Sequence, residues 1–187
     1  MKLMSETWSA TSRTPTVCPA KAWLKLILRE PKHSRPQRVT VMVRSCARMG
    51  PIASRLGAQK LGYNLTAVPP GKRAFPFHSH RVNEEMFFVL EGAGEVRIGG
   101  AVHPIRAGDV IACPPGGPET AHQIVNTGTA ELKYLAVSTR LYPEIAEYPD
   151  SGKFGVLAEY AAGPDGKPQW FRFIGRERLM VDYWEGE

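Results

Sequence analysis

The chain has 187 residues, which is enough for one domain with a buried core and too few for two full-sized domains with a linker. Hydrophobic residues make up 43% and charged residues 22%, which is typical of globular proteins and excludes a wholly disordered chain. The 18 glycines and 16 prolines follow no short period, which excludes collagen and favours short strands joined by turns.

The net charge of +6 originates in the N-terminal third of the chain. Residues 1–60 contain 12 Lys and Arg against 2 Asp and Glu, whereas residues 61–187 contain 12 against 16. The larger part of the chain is therefore mildly acidic and carries no broad basic face. We expect no nucleic-acid partner.

Residues 1–48 are basic, rich in breakers and without sustained periodicity, so we expect them to form a disordered leader. Prolines at 31 and 36 interrupt the one stretch that could contribute to a helix-turn-helix. The apolar run at 22–28 contains a lysine and is too short for a membrane span or a secretory signal. Three widely spaced cysteines predict neither a disulfide framework nor a zinc knuckle. These features predict a cytoplasmic protein without a membrane segment.

From residue 61 onward, short β-rich runs alternate with turns that contain Gly and Pro. The predicted strands are 61–68, 74–80, 85–90, 94–98, 101–105, 110–113, 121–125 and 131–138. Such closely spaced short strands predict an all-β antiparallel sandwich or barrel within residues 49–139. Residues 140–187 are predicted to be an irregular, aromatic-rich extension packed on the barrel or on a partner subunit.

A group of metal-ligating residues lies within this strand-rich region. His78 and His80 are two residues apart, so an extended strand directs both imidazoles to the same face. Glu85 follows after a short turn, and a later strand contributes His122. Three imidazoles and one carboxylate suit one divalent Fe, Mn, Ni, Cu or Zn ion rather than Ca²⁺, and they leave coordination positions open.

Two motifs in this region resemble those of the cupin superfamily. Residues 71–92 are similar to the first cupin motif, G(X)5HXH(X)3,4E(X)6G, through Gly71, His78, His80, Glu85 and Gly92. Residues 108–126 are similar to the second motif, G(X)5PXG(X)2H(X)3N, through Gly108, Pro114, Gly116, His122 and Asn126. The departures are six residues rather than five before His78, and five rather than two before His122.

The resemblance implies a double-stranded β-helix, or jelly-roll, barrel with one metal ion at its centre, extended by irregular N- and C-terminal segments. Residues 61–139, together with 148–153, are similar to the stand-alone bacterial cupins loosely labelled sugar-phosphate-isomerase-like. That label describes a fold-level likeness and does not by itself assign an activity.

Strand alternation identifies candidate residues for a substrate pocket beside the metal. Phe87 and Val89 share the face of Glu85, and Ile124 shares the face of His122. Further candidates on flanking strands are Tyr63, Asn64 and Tyr134. No catalytic residue beyond the metal ligands can be named from the sequence.

Other polar residues have simpler interpretations. Glu84 is expected to point away from the face of Glu85, and His103 is expected at the surface. Cys113 is expected to be buried as a small apolar residue. Arg73 and Arg81 flank the HxH sequence and are interpreted as a solvated rim, with recognition of an anionic substrate as the alternative.

Two functional hypotheses remain open. The first is a metalloenzyme with isomerase or dioxygenase chemistry on a small oxygen-bearing, sugar- or carboxylate-like substrate. The second is a non-catalytic module that binds or senses a small molecule. In both cases we expect a homodimer. The predicted strand 85–90 has an apolar outer stripe, formed by Met86, Phe88 and Leu90, and nine aromatic residues lie between 142 and 184. One small barrel cannot bury all of these side chains, and a second copy would cover them.

Overall fold

A computed structural model describes residues 47–176 and 181–187. Within these ranges the regular secondary structure is almost entirely β, and two 3-10 turns, at Ala53–Arg55 and Pro149–Ser151, are its helical elements. No helix in the described residues is long and apolar enough to cross a membrane. The predicted leader lies outside the described residues except for Ala47 and Arg48.

The strands follow one another closely along the chain. They are β1 (Arg48–Pro51), β2 (Leu61–Val68), β3 (Ser79–His80), β4 (Glu85–Glu91), β5 (Ala93–Ile98), β6 (Ala101–Arg106), β7 (Val110–Cys113), β8 (His122–Val125), β9 (Leu132–Thr139), β10 (Glu144–Tyr148), β11 (Lys153–Tyr160) and β12 (Gln169–Gly175). Seven of the eight predicted strands are present with bounds that differ by at most one residue, because a turn with Gly or Pro adjoins at least one end of each.

The strands assemble into sheets in which every pairing is antiparallel. One sheet has the order β1-β2-β9-β4-β7, a second β12-β11-β10-β3 and a third β6-β5-β8. The backbones of His78 and His122 exchange hydrogen bonds of 3.2 and 2.8 Å, which connect β3 of the second sheet to β8 of the third. The predicted all-β jelly-roll barrel is therefore confirmed.

The predicted strand at 74–80 is wrong over most of its length. Only Ser79–His80 is a strand, and the backbone before it makes isolated bridges at Arg73 and His78. Pro76 lies in this segment and has no backbone N–H to donate to a neighbouring strand. The backbone therefore approaches β8 at single points instead of along a continuous ladder.

The C-terminal segment is more regular than its sequence suggests. It contains β10, β11 and β12, which extend the sheet that begins at β3. The Gly- and Pro-rich stretch at 163–168 forms the connection between β11 and β12, with the backbone N–H of Gly163 donating to the carbonyl of Lys167 at 2.9 Å. This stretch is thus the turn of a hairpin.

The core lies between the sheets. It is formed mainly by aliphatic and aromatic side chains: Val68, Phe87, Val89, Val96, Ile98, Ile105, Ile111, Cys113, Ile124, Leu132 and Tyr134. Ala47, which immediately precedes β1, also belongs to this cluster, and β1 pairs with β2 as an edge strand. The barrel therefore includes a strand that begins at Arg48, well before the predicted first strand.

The motif glycine Gly92 has a structural role at the end of β4. Its φ is +83°, in the left-handed region that side chains rarely adopt. A Cβ at this position would approach the carbonyl oxygen of Glu131 to 2.6 Å. Both observations require glycine where the chain turns from β4 into β5.

Candidate metal centre

Three segments bring the predicted ligands together. His80 lies on β3, which pairs with β10, and Glu85 begins β4, which lies between β7 and β9. His122 begins β8, and its backbone bridge to His78 holds the two imidazoles side by side, with ring centroids 4.7 Å apart. The jelly-roll connectivity therefore juxtaposes residues that are up to 44 positions apart in the sequence.

One carboxylate oxygen is common to the whole group. Oε2 of Glu85 lies 2.9 Å from Nε2 of His122, 3.4 Å from Nε2 of His80 and 3.8 Å from Nε2 of His78. The ligand atoms of His78, His80 and Glu85 all lie within 4.8 Å of one another. Nε2 of His122 also lies beside this oxygen, from the adjoining sheet, but His122 is not part of the mutually close group of three.

The spacing of these atoms fits a metal ion. Ligands about 2.1 Å from an ion and at right angles to each other are about 3 Å apart, close to the distances around Glu85. Nε2 of His80 is buried and has no hydrogen-bond partner among the described residues. An unpartnered buried nitrogen is costly, and an ion shared with Glu85 would satisfy it.

The burial and charge of the cluster shift its protonation equilibria. Burial, together with the charge of His122, lowers the pKa of His78 to about 4. Burial also opposes the charged form of His80. The carboxylates of Glu85 and Glu144 outweigh this effect, and the pKa of His80 is therefore raised above its usual value. Burial alone would raise the pKa of Glu85, whereas contacts with His122 and His80 hold it well below its usual range. The carboxylate is therefore ionised and available as a ligand.

The lengthened turn before His122 does not displace this residue. The inserted segment closes on itself, since the backbone N–H of Thr120 donates to the carbonyl of Gly117 at 3.1 Å and the Thr120 hydroxyl donates to the same oxygen at 3.0 Å. The backbone N–H of Gly116 donates to the carbonyl of His80 at 2.8 Å, which fixes the start of the turn beside β3. The extra residues project as a local loop and His122 enters opposite His78.

The residues predicted to line a pocket occupy different environments. Phe87 and Tyr134 are buried near the cluster, with ring centroids 5.4 Å from His122 to Phe87 and 5.6 Å from Phe87 to Tyr134. Val89 and Ile124 belong to the core. Asn64 accepts a hydrogen bond from the Thr66 hydroxyl at 2.7 Å on the inward face of β2, and alternation places Tyr63 on the opposite face.

The remaining predicted residues lie away from the ligand atoms or are already paired. Glu84 is exposed, and Arg81 donates to Oε1 of Glu147 through Nε and Nη2 at 2.9 and 2.7 Å. Cys113 is buried, and this burial, reinforced by the charge of Glu85, raises the pKa of its thiol to about 12. It is therefore a neutral, apolar residue at physiological pH.

A separate surface depression contains His103. Its volume is about 750 Å³, and it is lined by Ala93, Gly94, Glu95, His103, Pro104, Ile105, Arg106, Asp109, Thr127 and Gly128. None of the four predicted ligands lines it. This depression is therefore distinct from the candidate metal centre.

Sequence reasoning missed two residues that border the cluster. Glu144 on β10 has an Oε2 atom 3.7 Å from Nδ1 of His80, and Tyr148 on the same strand stacks near His78 with ring centroids 6.2 Å apart. Both lie beyond the second motif, in the segment predicted to be irregular. Their pairing with β3 depends on sheet register, which no local signal in the sequence reports.

The fold and motifs have counterparts in known proteins. The family model of the cupin domain matches residues 64–138. A solved structure of a sugar phosphate isomerase from a cupin superfamily, from Silicibacter pomeroyi, superposes with a TM-score of 0.62 and 25% identity, over 82% of this chain and 90% of that one.

Two curated relatives match the cupin region. An oxalate-binding protein from Thermotoga maritima is 37% identical over 70 residues, which are 37% of this chain and 54% of that protein. An uncharacterised protein from Methanocaldococcus jannaschii is 35% identical over 71 residues, 38% of this chain and 54% of that protein. The chain thus spans about half the length of these relatives. From the motif spacing, the strand topology and these likenesses, we conclude that residues 64–138 form a cupin domain.

Proposed function

We propose that this protein is a metal-dependent cupin enzyme that acts on a small oxygen-bearing, sugar- or carboxylate-like substrate by isomerase or dioxygenase chemistry. The observation that carries the proposal is the convergence of three imidazole Nε2 atoms on one oxygen of Glu85, within 3.8 Å. His122 is buried and His78 and His80 are half-buried, and three imidazoles around one carboxylate match the ligand preferences of a divalent transition metal.

The proposed ligands are His78, His80, Glu85 and His122. When bound, a divalent ion polarises a substrate carbonyl or activates water or dioxygen. Phe87 packs against His122 and keeps water from that side of the cluster, and Tyr148 lies alongside His78 as a second aromatic wall. These rings would hold a small substrate against the ligand atoms and restrict its orientation.

The comparisons support a small, oxygen-rich ligand. One relative is named as a sugar phosphate isomerase and another as an oxalate-binding protein. Both ligand types can present adjacent oxygen atoms to a metal ion. The second name also favours a second candidate function, a non-catalytic module that retains a carboxylate-like ligand.

Elemental analysis of protein purified without a metal-affinity tag tests the proposal. We expect one divalent ion of Fe, Mn, Ni, Cu or Zn per chain, and metal-dependent conversion of a sugar phosphate or small carboxylate in a substrate screen. Stoichiometric retention of such a compound without turnover would favour the binding module. Protein that takes up none of these ions at neutral pH would refute both forms of the proposal.

The affinity for metal should fall as the pH is lowered, because a protonated imidazole cannot ligate. His80 has a raised pKa and therefore takes up a proton at a higher pH than an ordinary histidine, whereas His78, with a pKa of about 4, stays neutral. Protons thus compete first at His80, and we expect metal loss below about pH 6. Dialysis across this range followed by elemental analysis measures it, and unchanged metal content at about pH 4.5 would contradict the assignment.

We also propose that the protein forms a homodimer through the β11–β12 hairpin. Strand β12 pairs only with β11 in the described sheets, and the hairpin exposes large apolar residues: Tyr160, Phe171, Phe173 and Ile174. Ile174 is 67% exposed. A second copy that covers this hairpin would bury the aromatic surface and protect the free edge of the sheet.

Light scattering should give twice the monomer mass of 20.7 kDa at micromolar concentrations. Ile174→Glu should shift the protein towards the monomer, because a buried unpaired carboxylate opposes association. Val102→Glu is the matched control, since Val102 is also exposed, at 57%, but lies on β6. A monomeric wild-type protein would rule out the dimer.

A further inference from the structure

Glu144, at the start of β10, is a buried carboxylate that accepts an unusual number of hydrogen bonds. Its exposure is 5%, although it is an acidic residue. Its Oε1 accepts from the backbone N–H groups of Arg81 at 3.1 Å, Val82 at 3.2 Å and Ile145 at 2.8 Å. Its Oε2 accepts from the backbone N–H of Asn83 at 2.8 Å and also from the Asn83 side chain.

Three of these amides are consecutive and belong to the turn that connects His80 to Glu85. The side chain of Asn83 ties the same turn to the chain before β10, since its Nδ2 donates to the carbonyl of Leu141 at 3.0 Å and its Oδ1 accepts from the N–H of Leu141 at 2.7 Å. The spacing between two proposed metal ligands is therefore set by a carboxylate from another part of the chain. A turn held at each amide has little freedom to change that spacing.

The three histidines each have an oxygen atom near Nδ1, on the side away from Glu85. Nδ1 of His78 is 2.8 Å from the carbonyl oxygen of Pro76, and Nδ1 of His122 is 3.4 Å from that of Thr120. For His80 the corresponding atom is Oε2 of Glu144 at 3.7 Å, and His80 Nδ1 is buried without a hydrogen-bond partner among the described residues. Oε2 of Glu144 thus occupies the position beside His80 that a backbone carbonyl oxygen occupies beside His78 and beside His122.

We propose that Glu144 is a positioning residue of the metal centre, which orients His80 with Nε2 towards Glu85 and fixes the turn between these two ligands. The inference rests on the proposed metal function. A carboxylate beside Nδ1 favours the proton on that nitrogen and leaves the Nε2 lone pair for the ion. Glu144 lies outside the matched cupin domain, residues 64–138, so the C-terminal segment completes the site.

Titration of metal-free protein with Co²⁺, followed by visible absorption at a temperature where each variant is fully folded, tests this role. We expect Glu144→Gln to bind Co²⁺ about 10–100-fold more weakly than the wild type and with an altered spectrum. Glu147→Gln is the matched control, because Glu147 is on the same strand and its carboxylate pairs with the exposed Arg81 side chain. Its affinity and spectrum should match the wild type.

The outcomes separate the two proposals. Wild-type protein that binds no Co²⁺ would refute the metal function and the positioning role with it. Wild-type affinity and spectrum in Glu144→Gln would leave the metal function intact and overturn the positioning role, even if the variant melts at a lower temperature. If Glu144→Gln does not fold, Glu144→Asp replaces it in the test. This variant retains the carboxylate but withdraws it from His80 by one methylene. Unchanged affinity and spectrum in Glu144→Asp would equally overturn the positioning role.

Discussion

Replacement of Glu85 by alanine should weaken metal binding by more than about 100-fold, beyond the usual cost of losing an outer-shell partner. Glu85 is the carboxylate on which the three imidazoles converge, and its Oε2 lies 2.9 Å from His122 and 3.4 Å from His80. Without it, three neutral nitrogen donors remain and no anionic charge offsets that of the ion. Competition titration against a chromophoric chelator measures the change.

Glu84→Ala provides the matched control, because Glu84 is the preceding residue, carries the same charge and is exposed. Its loss should leave the metal affinity close to that of the wild type. Equal affinities of the two variants would show that the ion, if bound, lies elsewhere. Circular dichroism of both metal-free variants verifies that the comparison is between folded proteins.

Replacement of Asn126 by alanine should lower the free energy of unfolding by about 2–3 kcal/mol. The side chain is fully buried and links two segments, since Nδ2 donates to the carbonyl oxygens of Val68 at 2.7 Å and Ala130 at 2.8 Å. Its Oδ1 accepts from the N–H of Gly128 at 2.9 Å. Alanine would leave the buried carbonyl at the end of β2 without this donor, and an unsatisfied buried group costs more than a lost exposed hydrogen bond.

Urea unfolding of the protein with excess chelator measures this effect without a contribution from bound metal. Thr127→Ala is the control, because Thr127 is adjacent and exposed, and its replacement should change the stability by less than about 0.5 kcal/mol. A comparable loss of stability in both variants would indicate that any substitution in this turn is destabilising, and the loss would then not be specific to the hydrogen bonds of Asn126. No loss in Asn126→Ala would contradict the assigned hydrogen-bonding role.

Much of the barrel was predictable because its signals are local. Strand β2 has the predicted bounds, Leu61–Val68, since a run of β-forming residues ends at Pro69-Pro70-Gly71. The motif spacing likewise predicts His78, His80, Glu85 and His122 as ligands, and the structure places the three imidazoles near one oxygen of Glu85. These features depend on residue type and separation, and therefore appear in the sequence.

The tertiary structure decided what depends on register and long-range pairing. The three C-terminal strands form one sheet with β3, and Glu144 approaches His80 because β10 pairs with β3 at Ala146 and His80. Residues 80 and 144 have no common motif, and a buried glutamate in a segment with Pro and Gly resembles any surface glutamate when only the sequence is considered. Burial and pairing are properties of the assembled sheets, because they depend on which strands become neighbours and in which register.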